Sequence, residues 1–170
     1  MRITRALSLL LILFSSMAFA EITAGPAAKP QGDLGLVIVA SDSPDYIHEW
    51  LTTPSQHGVT IKRLKMAKPD QLIVSSFLVT GLSRNEKGRY DFSVSFYVLG
   101  PNNKPIFGQR DYAKGSGILP DKPILVMADP ALDIVLENTD PEGKYSIVAK
   151  VTDLVSGRMA DDSYNIVFAK

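Results

Sequence analysis

Cysteine is absent from all 170 positions. That excludes disulfides, thiolate chemistry and Cys-built zinc sites. It also excludes a lipid anchor of the kind that needs a Cys at the leader junction. Histidine is nearly as scarce. His48 and His57 stand nine residues apart with Pro54 between them, a spacing that neither a helix nor a strand turns into a ligand pair. No serine sits in a G-x-S-x-G elbow; Ser116 in Gly115-Ser116-Gly117 comes nearest, without the strand-to-helix setting. The same two glycines open no helix pattern, so no phosphate cradle is built. The sequence therefore assigns no catalytic residue, no cofactor and no metal.

Charge of one sign is missing too. Lysine plus arginine number 18, as do aspartate plus glutamate. Such a balance gives no general attraction to nucleic acid or anionic membrane. Carboxylates do crowd one stretch, at Asp133, Glu137, Asp140 and Glu142 beside Asn138, and Asp161-Asp162 lies further on. Calcium takes six to eight oxygens, but no D-x-D-x-D-G loop is present. The expectation here is solvated loop charge.

Long apolar runs are equally lacking. Ala6–Phe14 (ALSLLLILF) is too short for a bilayer, which needs about 20 residues. Arg2 and Arg5 precede it and Ala18-Phe19-Ala20 follows. This is the order of a secretory signal peptide over residues 1–20. Cleavage would remove two arginines and leave a net charge of about −2. The expected home is periplasmic or secreted, with no membrane span.

What is present is alternation. Tyr90, Phe92, Val94, Phe96 and Val98 share one face of a strand; Asp91, Ser93 and Ser95 share the other, with Tyr97. Tyr145, Ile147, Ala149 and Val151 alternate in the same way, and Tyr164, Ile166 and Phe168 resume the pattern after a turn at Asp153–Arg158. Leu34–Ala40 and Gln71–Thr80 are apolar on both faces, as buried strands are. Val59–Met66 reads as a Lys-rich edge strand. Pro105–Tyr112 reads as a short strand and Ala113–Pro120 as a loop. Pro123–Met127 and Leu132–Leu136 are two strands, or one broken at Asp129-Pro130.

Ser43–Leu51 differs. Ser43 can cap a helix, Pro44 suits its first position, and Ile47, Trp50 and Leu51 share a face. A helical turn over residues 44–51 is predicted, with Trp50 as a hydrophobic plug. Ile22–Asp33 has no periodicity, so residues 21–33 read as a flexible arm before a single domain at 34–170.

The stretch Asp140-Pro-Glu-Gly143-Lys-Tyr145 resembles the tyrosine corner of immunoglobulin-like domains, in which the Tyr bonds back to the preceding loop. Antibody domains have one fewer residue between the Asp and the Gly, and a Cys pair around a buried Trp, so the resemblance favours the sandwich and not an antibody-type domain. Trp50, the Gly81 strand-to-turn unit, Gly100-Pro-Asn-Asn103 and Glu137–Gly143 extend the likeness. The chain resembles small, uncharacterised exported bacterial proteins with a single immunoglobulin-like domain. The fold expected is an all-β, immunoglobulin-like antiparallel β-sandwich of about seven to nine strands. The resemblance implies a periplasmic home and carries no activity.

In such a sandwich alternate loops gather at one end. Gly81–Arg89, Ala113–Asp121 and Asp153–Arg158 would then meet, collecting Arg84, Lys87, Arg89, Lys114 and Arg158. That basic end would dock an acidic protein or an anionic envelope component. The expected role is a non-catalytic binding or adaptor domain. A structural subunit of a secretion or surface-assembly system is the alternative, donating an edge strand or its arm. A carboxylate-dependent hydrolase is a third reading, with no motif in its favour. Neither the partner nor the oligomeric state is encoded in any motif.

Overall fold

The computed structural model describes residues 29–54 and 57–170. The predicted signal peptide and most of the predicted arm lie outside these residues. Eleven strands and one helix follow in order: β1 (Lys29–Pro30), β2 (Gly35–Ser41), α1 (Asp45–Thr52), β3 (Met66–Ala67), β4 (Leu72–Thr80), β5 (Ser83–Arg84), β6 (Arg89–Leu99), β7 (Pro105–Ile118), β8 (Val126–Met127), β9 (Leu132–Val135), β10 (Gly143–Asp153) and β11 (Met159–Phe168). The described residues are all-β apart from α1. Among the described residues no helix is long and apolar enough to cross a membrane.

Two sheets carry the core. One has five strands in the order β3-β11-β10-β6-β7; the other runs β2-β4-β8, with β9 also on β4. Every pairing in them is antiparallel except β3 with β11, which is parallel. Period-two alternation explains the division of faces. Phe92, Val94, Phe96 and Val98 of β6 turn inward with Tyr145, Ile147, Ala149 and Val151 of β10 and Tyr164, Ile166 and Phe168 of β11. They meet Leu36, Ile38 and Ala40 of β2 and Ile73, Phe77 and Val79 of β4. Phe77 stacks on Phe96 with ring centroids 6.1 Å apart, joining β4 to β6. Burial of this apolar surface, at about 25 cal/mol per Å², supplies stability in a chain without disulfides.

A second cluster lies between α1 and β2–β4. Val39, Val74 and Leu78 pack there with Tyr46 of the helix. Tyr46, not Trp50, is the buried helical residue. Its hydroxyl finds Ser76 Oγ at 2.7 Å, so a buried polar tip is satisfied. Trp50 packs on the cluster only in part, and Leu51 is 74% exposed.

Three segments differ from expectation. Val59–Lys65 forms no ladder; only Met66–Ala67 pairs, at the margin of the five-stranded sheet. The preceding stretch is held singly, by Leu64 N–H to the Ala40 carbonyl at 2.8 Å and by Tyr164 Oη–H to the Leu64 carbonyl at 2.9 Å. Lys65 Nζ lies 4.6 Å from the Tyr164 ring centre, so these cations cover a ring instead of spacing a strand.

Ala113–Pro120, expected as a loop, is mostly strand: β7 continues to Ile118. Its glycines serve ladder packing, not turning. Gly115 and Gly117 face Phe92 and Tyr90 directly across β6–β7. A Cβ on Gly115 would lie 2.4 Å from the Phe92 ring. The two rings, 6.1 Å apart, lie over the space the glycines leave.

The end of the arm is also tied down. Lys29 and Pro30 pair with Arg84 and Ser83, and Gln31 N–H reaches the Leu82 carbonyl at 3.1 Å. By contrast β8 and β9 form the interrupted line expected around Asp129-Pro130, whose peptide is cis.

Candidate partner-binding surface

Gly81–Arg89 touches both Asp153–Arg158 and the Leu119–Asp121 tail of the third segment, while Ala113–Ile118 is strand, and most of the five cations do other work. Arg158 is a staple. Its guanidinium donates to the carbonyls of Gly32 and Gly81, to Ser83 Oγ and to Asp153 Oδ2. One side chain thus joins the N-terminal segment, the turn after β4 and the β10–β11 hairpin. Gly81 makes this possible: at φ +70°, a Cβ there would fall 1.9 Å from the Asp33 carbonyl oxygen.

Asp153 anchors the same junction from inside and is fully buried. Its carboxylate accepts from Ser83 N–H at 3.0 Å, Val155 N–H at 3.0 Å and Ser156 Oγ–H at 2.7 Å. Burial pushes its pKa up, but the donated bonds from Ser156, Ser83 and Val155 outweigh burial and hold it below the usual carboxylate range.

Arg84 pairs with Asp121 at 2.8 Å. Lys114 lies on β7 opposite Ser93, away from the loops, and its backbone exchanges two bonds with Asp129. Lys87 and Arg89 remain exposed at the convergent end without an ion pair among the described residues. The acidic stretch is likewise used locally. Asp140 Oδ2 accepts the Glu137 N–H at 2.7 Å, shaping the turn before Tyr145. Tyr145 Oη–H donates to the Pro141 carbonyl at 2.9 Å, the back-bond expected of the corner.

A different surface stands out at the β6–β7 hairpin. Its turn is closed by Asn103 N–H to the Gly100 carbonyl at 2.9 Å and Lys104 N–H to Asn102 Oδ1 at 3.0 Å. Beyond it Ile106 is 57% exposed and Phe107 56% exposed, with Tyr97 on the neighbouring strand 44% exposed. Phe107 stands opposite Val98 and packs on Phe96, ring centres 5.6 Å apart. Beside Tyr97, Gly108 leaves a shallow trough toward Arg110, Val148 and Lys150.

β7 closes the five-stranded sheet, so its outer edge has no ladder partner from Pro105 to Tyr112 among the described residues. Tyr112 Oη–H reaches the Ala131 carbonyl at 2.8 Å, and the first backbone tie comes at Lys114, bonded to Asp129 at 2.8 and 2.9 Å. A bulge marks the boundary. Between Val94/Ala113 and Phe96/Gln109 the register shifts, and Asp111 takes φ +48°. Asp111 is fixed there by Ser95 Oγ on its N–H and by Ser93 Oγ–H on its carboxylate, at 3.0 and 2.9 Å.

Sequence reasoning missed this surface because Ile106-Phe107 reads as ordinary strand filling. The signal lay in the preceding Gly-Pro-Asn-Asn turn, which puts the two apolar residues on the return strand of a hairpin at a sheet margin. Comparison with protein-family models and with curated proteins found no match to the chain.

Proposed function

We propose that this chain is a non-catalytic binding domain of the periplasm, built as an immunoglobulin-like sandwich, that docks a protein of the cell envelope through its β6–β7 hairpin. The sheet orders and the Tyr145–Pro141 bond support the immunoglobulin-like reading. The leader-like sequence of residues 1–20 supports the compartment. The observation that carries the binding role is the pair Ile106 and Phe107, both more than half exposed beside an unpaired strand edge. Large apolar side chains grouped on such an edge are a liability unless a partner covers them.

A photo-crosslinking amino acid at position 107, in the intact envelope of the native host, tests this. Val135, equally apolar and exposed on β9, is the control position. A discrete adduct at 107, absent at 135 and competed by excess unlabelled domain, is the expected result. Equal labelling at both positions, or none at 107, would remove the hairpin as the docking site.

A further inference from the structure

The molecule treats its strand edges unequally. β3, β8 and β9 are short, with two to four residues each. β2 is longer, but side chains cap its outer edge. Ile38 N–H donates to Asp162 Oδ2 at 2.8 Å, and the Ile38 carbonyl accepts from Arg63 Nη2 at 2.9 Å. Leu64 N–H then covers the Ala40 carbonyl. β7 is closed at Lys114 by Asp129. Among the described residues β11 also has no ladder partner on its outer side before Val167, but Asp161 and Asp162 lie along that edge and Asp162 is bonded to Ile38. The stretch between Pro105 and the Asp111 bulge is the open edge that carries exposed apolar residues and no acid.

The chemistry around that stretch is one-sided. Lys104 precedes it and Arg110 ends it, both exposed, and neither forms an ion pair among the described residues. Between them lie Pro105, Ile106, Phe107, Gly108 and Gln109, with no acid. A second copy of this chain is a poor occupant. Antiparallel self-pairing centred on Phe107 would set Lys104 against Arg110 of the other copy, and like charges directly opposite destabilise a sheet. An extended segment with acids at its ends meets both cations favourably and offers backbone groups to the edge.

We infer that the open edge at Ile106–Arg110 binds an extended, acid-flanked peptide segment of the partner by strand addition. This rests on the hairpin being the docking site and specifies how it docks. Phe107 and Ile106 supply apolar contact. Lys104 and Arg110 select the ends. Pro105, which has no N–H, and the Asp111 bulge limit the added strand to about five residues.

The test uses the chain expressed with its own leader and purified after processing. The probes are two labelled seven-residue peptides of alternating valine and threonine, one ended by aspartates and one by lysines. The acid-ended peptide is expected to bind at least about tenfold more tightly, and the double variant Lys104→Glu/Arg110→Glu to reverse that order. Binding should also slow hydrogen exchange at amides within Ile106–Arg110 and leave those of Gly35–Ser41 unchanged. Equal affinity for the two peptides overturns the inference, as does binding without local protection, or no binding at millimolar peptide. A crosslink at position 107 together with any of these failures would leave the hairpin as a docking site and remove strand addition as its mode.

Discussion

The ring of Phe92 lies over Gly115, its direct cross-strand partner, and fills the space a side chain would need. Tyr90 has the same relation to Gly117: a Cβ there would lie 3.0 Å from its hydroxyl and 3.1 Å from its ring. The Gly-Ser-Gly run is thus a packing device between two strands. Gly115→Ala is expected to destabilise the domain by about 1–3 kcal/mol, the usual cost of overpacking. Ser116→Ala, between the two glycines but exposed, should stay within about 0.5 kcal/mol. Urea unfolding of both variants checks the contrast, and equal midpoints would refute it.

Two adjacent serines on β4 should behave in opposite ways. Ser76 Oγ bonds the Tyr46 hydroxyl, whereas Ser75 Oγ is buried without a partner among the described residues. Ser76→Ala is expected to cost about 1 kcal/mol or more, because it leaves a buried phenol short of its best partner. Ser75→Ala removes an unsatisfied group and should be neutral or stabilising by up to about 1 kcal/mol. Thermal melts of the two variants, run side by side, decide it.

Acid should loosen the molecule through Asp153. Its pKa is lower folded than unfolded, so its stabilisation is complete above the unfolded carboxylate value of about 3.9 and is lost as pH falls through the lower folded value. Asp153→Asn should cost about 1.5–3 kcal/mol near neutral pH, the worth of hydrogen bonds to a charged group. It should also flatten the fall in stability below about pH 4. Denaturant midpoints measured from pH 2 to 7 test both statements; an unchanged acid slope would discount Asp153 as the titrating group.

Tyr145→Phe isolates the corner bond. The ring packs edge-on against Phe168, centroids 6.1 Å apart, and should keep its place. Loss of the bond to the Pro141 carbonyl should then cost about 0.5–1.5 kcal/mol with no change of fold. A penalty under a few tenths would make the hydroxyl incidental.

Much of this architecture is legible in the sequence, and the reason is periodicity. β6, β10 and β11 announce themselves because their inward residues recur every second position, and β4 because it is apolar on both faces. α1 is readable from Ser43, Pro44 and the spacing of its apolar residues, but the choice between Tyr46 and Trp50 as the buried ring depended on Ser76, thirty residues away. The far half of β7 is hidden in the sequence because Gly115 and Gly117 look like turn residues until their cross-strand rings are known. Arg158 and Arg84 look like free surface charge for the same reason. Their acceptors, the Gly32 and Gly81 carbonyls and Asp121, are brought to them only by the fold.

The parallel pairing of β3 with β11 is the pairing of the five-stranded sheet that joins the most distant parts of the chain. Val167 meets Met66 from about 100 residues away along the chain, so that ladder closes a very long loop. β11 also sits inside its sheet, between β3 and β10. Strands made earlier therefore cannot complete the five-stranded sheet in the order of synthesis. Until residues 159–168 are available, β3 has no ladder partner and β10 lacks one neighbour, although β2–β4, β6–β7 and β6–β10 can pair without them. Completion of the five-stranded sheet is thus a late event, set by residues 159–168.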